Sequence, residues 1–107
     1  MYKMIQFKSY KPYNFIMNVN KKEIKIHLRY NSYMNKYYFN IDEKENGVFV
    51  NKINSILLTT GVNLLLQHPQ FDYGEMFIIP TKTELYNEDP KAETIQNYML
   101  YTISDDE

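Results

Sequence analysis

Residues 23–42 read EIKIHLRYNSYMNKYYFNID. From Ile24 to Tyr30, Ile24, Ile26, Leu28 and Tyr30 alternate with Lys25, His27 and Arg29 without a slip. A β-strand sends successive side chains to opposite faces, so this spacing predicts a strand with one dry face. From Tyr37 to Asp42 the alternation resumes: Tyr37, Phe39 and Ile41 against Tyr38 and Asn40. The link Asn31-Ser32-Tyr33-Met34-Asn35 is polar and of hairpin length. The stretch predicts a two-stranded antiparallel hairpin, and the rest of the chain is read outward from it.

Upstream, Tyr2 to Phe7 predicts a strand with Tyr2, Met4 and Gln6 on one face. Lys11-Pro12 breaks it, because proline has no N–H for a ladder. Tyr13 to Val19 alternates again, with Phe15, Met17 and Val19 against Asn14, Ile16 and Asn18. Asn20-Lys21-Lys22 reads as a turn.

Downstream, Asp42 to Gly47 reads as the next turn, with Gly47 free to take a positive φ. Val48 to Ile53 predicts another strand. Ile56 to Leu66 is apolar without clear period, which implies burial on both sides in a strand or short helical turn; Asn63 can start such a turn, and Pro69 ends the segment. Tyr73 to Ile79 predicts a strand stopped by Pro80, Thr81 to Thr94 a loop, and Ile95 to Ile103 a last strand. Ser104 to Glu107 reads as a frayed acidic tail. Strand signals spaced by about 8–12 residues predict an all-β fold: one domain over residues 1–107, a small sandwich or barrel of about seven antiparallel strands.

A chain of 107 residues suits one domain and can bury a core without staples. It has no cysteine, so disulfides and thiolate metal sites are excluded. The net charge of -1 sets up no strong field toward nucleic acid. No apolar run reaches membrane-spanning length and the N-terminus lacks a signal-peptide core, so a soluble protein made in a cytoplasm is expected. Eleven tyrosines and six phenylalanines fit either a compositional bias toward Asn, Ile, Lys and Tyr or a surface rich in contact aromatics.

Motifs for chemistry are thin. His27 and His68 have no partners at metal-ligand spacing, so both read as solvated or interface histidines. Asp42-x-Lys44-x-Asn46-Gly47 begins like a calcium loop but has Lys44 at its third position and Ile53 at its twelfth. No Gly-x-Ser-x-Gly elbow and no Gly-rich phosphate loop occurs. Lys25, His27 and Arg29 with Tyr38 beside them suggest the alternative of a small nucleic-acid-binding β-barrel, against the simpler reading of a solvated sheet face.

Leu28-Arg29-Tyr30-Asn31, Tyr37-Tyr38-Phe39-Asn40-Ile41-Asp42, Gly47, Gly61-Val62-Asn63-Leu64-Leu65 and Leu100-Tyr101 occur in an order that resembles the cyanophage-type baseplate plug family of phage tails. The family's usual Trp in the aromatic strand is replaced by Tyr37 or Tyr38, and the acid of its leucine motif by Asn63. The resemblance implies a non-enzymatic virion component, in a phage or phage-like tail assembled in the host bacterial cytoplasm. It would close or join the tube tip beside the hub. Hub and tube proteins and further copies of itself are the implied partners, with no catalytic residue, cofactor, metal, membrane or nucleic acid. Tyr33, Tyr37, Tyr38 and Phe71 are the aromatic residues expected at protein interfaces.

Overall fold

The computed structural model describes residues 2–8 and 10–104. Among them are seven strands: β1 Tyr2–Gln6, β2 Asn14–Val19, β3 Lys22–Asn31, β4 Lys36–Glu45, β5 Val48–Leu57, β6 Glu75–Pro80 and β7 Tyr98–Ile103. All neighbouring strands pair antiparallel, in two sheets ordered β2-β3-β4-β5 and β1-β7-β6. The fold is all-β, as the spacing predicts. The barrel alternative is corrected, because the sheets do not join into a closed ring.

The β3–β4 hairpin forms as expected, with Ile26 opposite Ile41, Leu28 opposite Phe39 and Tyr30 opposite Tyr37. Ile24, Ile26, Leu28, Tyr37, Phe39 and Ile41 are all buried. Each such side chain taken from water contributes about 1.5–3 kcal/mol. These residues share one core with Met76, Ile78, Tyr98 and Leu100 of the smaller sheet. The link between the strands folds on itself: Asn31 Oδ1 accepts the N–H groups of Tyr33 (3.0 Å) and Met34 (3.3 Å).

Two tight turns set the register of the larger sheet. Asn20 (φ 49°) and Lys21 (φ 66°) join β2 to β3, and Asn46 (φ 51°) and Gly47 (φ 83°) join β4 to β5. Paired positive φ values match the right-handed strand twist, which is why Asn and Gly serve there. The second turn is shorter than the sequence suggests. Asp42 to Glu45 are strand residues, since pairing continues to Glu45 opposite Val48.

Strand β5 also runs past its predicted end. Register shifts fall on both sides of Ile41, and Ser55 takes φ 58°. The N–H of Ser55 is satisfied by Asn40 Oδ1 at 2.8 Å. This bulging turns Ile53 and Ile56, three positions apart, onto the same buried side. Beyond it the chain crosses to the smaller sheet, where Thr60 forms a parallel bridge to Ile78. The expectation that this run is buried on both sides is corrected. Ile56, Leu58, Leu64 and Leu65 are buried, but Val62 and Leu66 are exposed. Asn63 does open a turn, its Oδ1 accepting the N–H groups of Leu65 and Met76, both at 3.1 Å.

At the C-terminal end, Ile95–Asn97 is a 3-10 turn, so β7 starts at Tyr98 rather than Ile95. The Ile95 N–H donates to the Lys91 carbonyl at 2.8 Å and its side chain is buried, which holds it out of the ladder. Of the predicted tail, Asp105 to Glu107 lie outside the described residues.

Candidate interaction surfaces

The outer face of the larger sheet carries a polar row tied to itself, with Ile16, Tyr38 and Phe49 around it. His27 Nδ1 lies 2.9 Å from Asn14 Oδ1, and His27 Nε2 lies 2.7 Å from Asp42 Oδ2. Asn51 Nδ2 donates to Asp42 Oδ1 at 3.0 Å. One residue from each strand, β2 to β5, thus forms a hydrogen-bonded row across the whole sheet. Burial of Asp42 alone would raise its pKa, but the bonds from Asn51 and His27, with Lys25 nearby, hold it below the usual value. Both ring nitrogens of His27 are engaged, and the groove beside it, lined by Pro12, Tyr13, Arg29 and Asn40, offers no hydroxyl of Ser or Thr. The arrangement orders a sheet and presents no nucleophile with a free base. Lys25 is also engaged, its Nζ 4.4 Å from the centre of the Phe49 ring.

The four predicted interface aromatics fall in different places. Tyr33 sits at the β3–β4 hairpin tip with 101% relative exposure, beside exposed Met34. Tyr38 is half-buried on the outer face, its hydroxyl 3.9 Å from Met34 Sδ. The hairpin therefore brings Met34 and Tyr38 together, with Tyr33 next to Met34 in sequence at the exposed tip. Phe71 is half-buried and stacks on Tyr73, with centroids 5.6 Å apart, beside a groove lined by Leu66, His68 and Pro69.

Tyr37 is corrected: it is wholly buried. It shares the inward parity of Phe39 and Ile41, its hydroxyl donates to the Tyr10 carbonyl, and its ring packs 4.9 Å from that of Tyr30. Burial, helped by Tyr30 and Glu93, pushes its pKa up to about 12. Tyr73 is also buried and donates to Glu43 Oε1 at 2.8 Å; burial first, then Glu43, raises its pKa further still. No cluster of three His, Asp or Glu placed to hold a metal occurs among the described residues. No helix among them is long and apolar enough to cross a membrane.

The outer face of β1-β7-β6 has the opposite character. Cross-strand partners form three rows: Tyr2, Ile103 and Glu75; Met4, Tyr101 and Phe77; Gln6, Met99 and Ile79. Seven of these nine side chains are apolar. None belongs to the buried core. Tyr2 is 65% and Met4 48% exposed, the other five apolar residues partly so. Tyr2 packs 5.6 Å from Tyr101. The sequence marks Tyr2 and Met4 as sharing a face but not that β7 and β6 widen it. Among the β7 residues, Tyr98 and Leu100 are as apolar as Met99, Tyr101 and Ile103, so alternation alone leaves the inner side undecided.

Fold and surfaces define an open two-sheet β protein with a self-bonded polar row across one outer face and a mostly apolar outer face on the other sheet. The sequence matches the family model described as cyanophage baseplate Pam3 plug gp18 over residues 1–106, and the chain belongs to that family. No curated protein matches it. Membership makes the protein a structural, virion-associated component of a phage baseplate, in association with other baseplate components.

Proposed function

We propose that this protein is a non-enzymatic plug that closes or joins the tip of a contractile tail tube beside the hub, in particles assembled in the bacterial cytoplasm. Copies of the chain would sit around the tail axis, each touching hub and tube proteins. The observation that carries the reading is the hairpin tip, where Tyr33 and Met34 face solvent on a firmly held support. The Tyr30 hydroxyl and the Ala92 N–H donate to Asn35 Oδ1 at 2.7 and 2.9 Å, anchoring the hairpin to the loop before β7. The backbone beneath Tyr33 is already ordered, so contact there need not order the loop as well.

Co-expression with the hub and tube proteins of the same particle, followed by size-exclusion chromatography with light scattering, tests this reading. A complex is expected, and the double variant Tyr33→Ala/Met34→Ala weakens it at least tenfold without lowering Tm. Failure of the wild-type chain to join any complex would remove the proposal. The nucleic-acid alternative draws little support from the Lys25 and Arg29 face, because Lys25 is engaged with Phe49 and His27 with Asp42. Binding of single-stranded oligonucleotide at low salt would revive it.

A further inference from the structure

The apolar outer face of β1-β7-β6 belongs to a different sheet from the hairpin tip, and nothing in the proposed role assigns it. We infer that this face is a second docking surface, and that its occupant is an apolar surface of a larger, non-identical baseplate component. The inference rests on the structural role above and adds to it: the plug would be a joint with two contact surfaces.

Size and charge choose the occupant. Strands lie about 4.8 Å apart and rise about 3.3 Å per residue, so a face of three short strands covers roughly 250 Å² in projection. A stable pair buries about 800 Å² on each partner. Side-chain relief makes the accessible surface larger than this projection, yet the face has nine residues against the roughly 20–30 a side of a standard interface, so two copies joined only here fall short and the isolated chain is expected to be monomeric. A larger neighbour that reaches past the nine residues onto the strands and loops around them makes up the deficit. The face holds one charge, Glu75 at a corner, and no cation among its nine residues. The complementary surface is therefore apolar opposite Met4, Tyr101 and Phe77, with a cation or hydrogen-bond donor opposite Glu75.

The test is incorporation into baseplate particles reconstituted from co-expressed baseplate proteins, measured as plug per particle. Tyr101→Lys and, separately, Met4→Lys on the edge strand are each expected to lower incorporation at least tenfold, while Tyr101→Phe retains it. Thermal denaturation of the isolated chains should show Tm within a few degrees of wild type for Met4→Lys. Normal incorporation of both lysine variants overturns the inference. If those variants incorporate while Tyr33→Ala/Met34→Ala does not, the second surface is wrong and the structural role stands; absence of the wild-type chain from particles removes the role itself. Light scattering on the isolated chain gives a further check. A dimer abolished by Met4→Lys would make a second copy the occupant and overturn the assignment to a non-identical neighbour.

Discussion

The two sheets of this protein use their outward sides in opposite ways. On β2-β3-β4-β5, the outward residues Asn14, His27, Asp42 and Asn51 bond to one another across all four strands. On β1-β7-β6, the outward residues Met4, Tyr101 and Phe77 have no polar business with their neighbours and remain outside the core. The polar row on the first face satisfies its own groups. The second leaves apolar area in contact with solvent, at a cost of about 25 cal/mol per Å² relative to a covered state. The comparison teaches that surface composition, more than fold, separates a finished face from one that awaits a neighbour.

The contrast is broken most severely on adjacent residues of β7. Leu100→Ala, at a buried position, should cost about 2–5 kcal/mol in chemical denaturation. Tyr101→Ala should cost about 1 kcal/mol or less. Equal costs would mean that the outer face is a second core. Gly74→Ala comes next. Gly74 has φ +73°, and an added Cβ would run into the Ile103 carbonyl at the corner of the apolar face. The strain alone is worth about 1–3 kcal/mol, and a fall in Tm reads it.

Alkaline titration sharpens the same comparison by asking which tyrosines are inside. Tyr37, Tyr73 and Tyr98 all have pKa values raised by burial above the ordinary 10.0. A raised folded-state value means that their contribution to stability is complete below pH 10.0 and is lost as pH rises, toward about 12 for Tyr37. Phenolate absorbance should show these three ionising late, together with unfolding. Ionisation of these three before the chain unfolds would contradict this burial.

The smallest effect belongs to the polar row. Asp42 has a lowered pKa, so its contribution is present above the ordinary 3.8 and fades as pH falls through the folded value. Asp42→Asn should lower stability by about 0.5–1 kcal/mol near neutral pH. The gap from wild type should close on acidification below pH 3.8, followed by Tm against pH. A constant gap would show that the row is held by its amides and not by the carboxylate.

Much of the larger sheet was legible because its signals are local. The unbroken alternation of Ile24 to Tyr30 needs no knowledge of what packs against it, and Asn46-Gly47 favours its turn through φ preferences alone. That same alternation already placed Tyr37 with Phe39 and Ile41, on the inward side, where the structure buries it. The bulging of β5 was hidden, because Ile53 and Ile56 share a side only once Asn40, on the neighbouring strand, accepts the Ser55 N–H. The row through His27 was equally hidden, since it exists only when four strands are in register.

Residue order by itself determined that this chain is an all-β protein, that Asn20-Lys21 and Asn46-Gly47 lie in turns and which side of β3 and β4 is dry, because these follow from side-chain alternation and backbone preference within a few residues. Tertiary structure alone decided that Tyr98 and Leu100 face inward while Met99, Tyr101 and Ile103 face out. Both sides of β7 carry apolar groups, and only the packing of the four-stranded sheet against one of them distinguishes the core from the surface left for a neighbour.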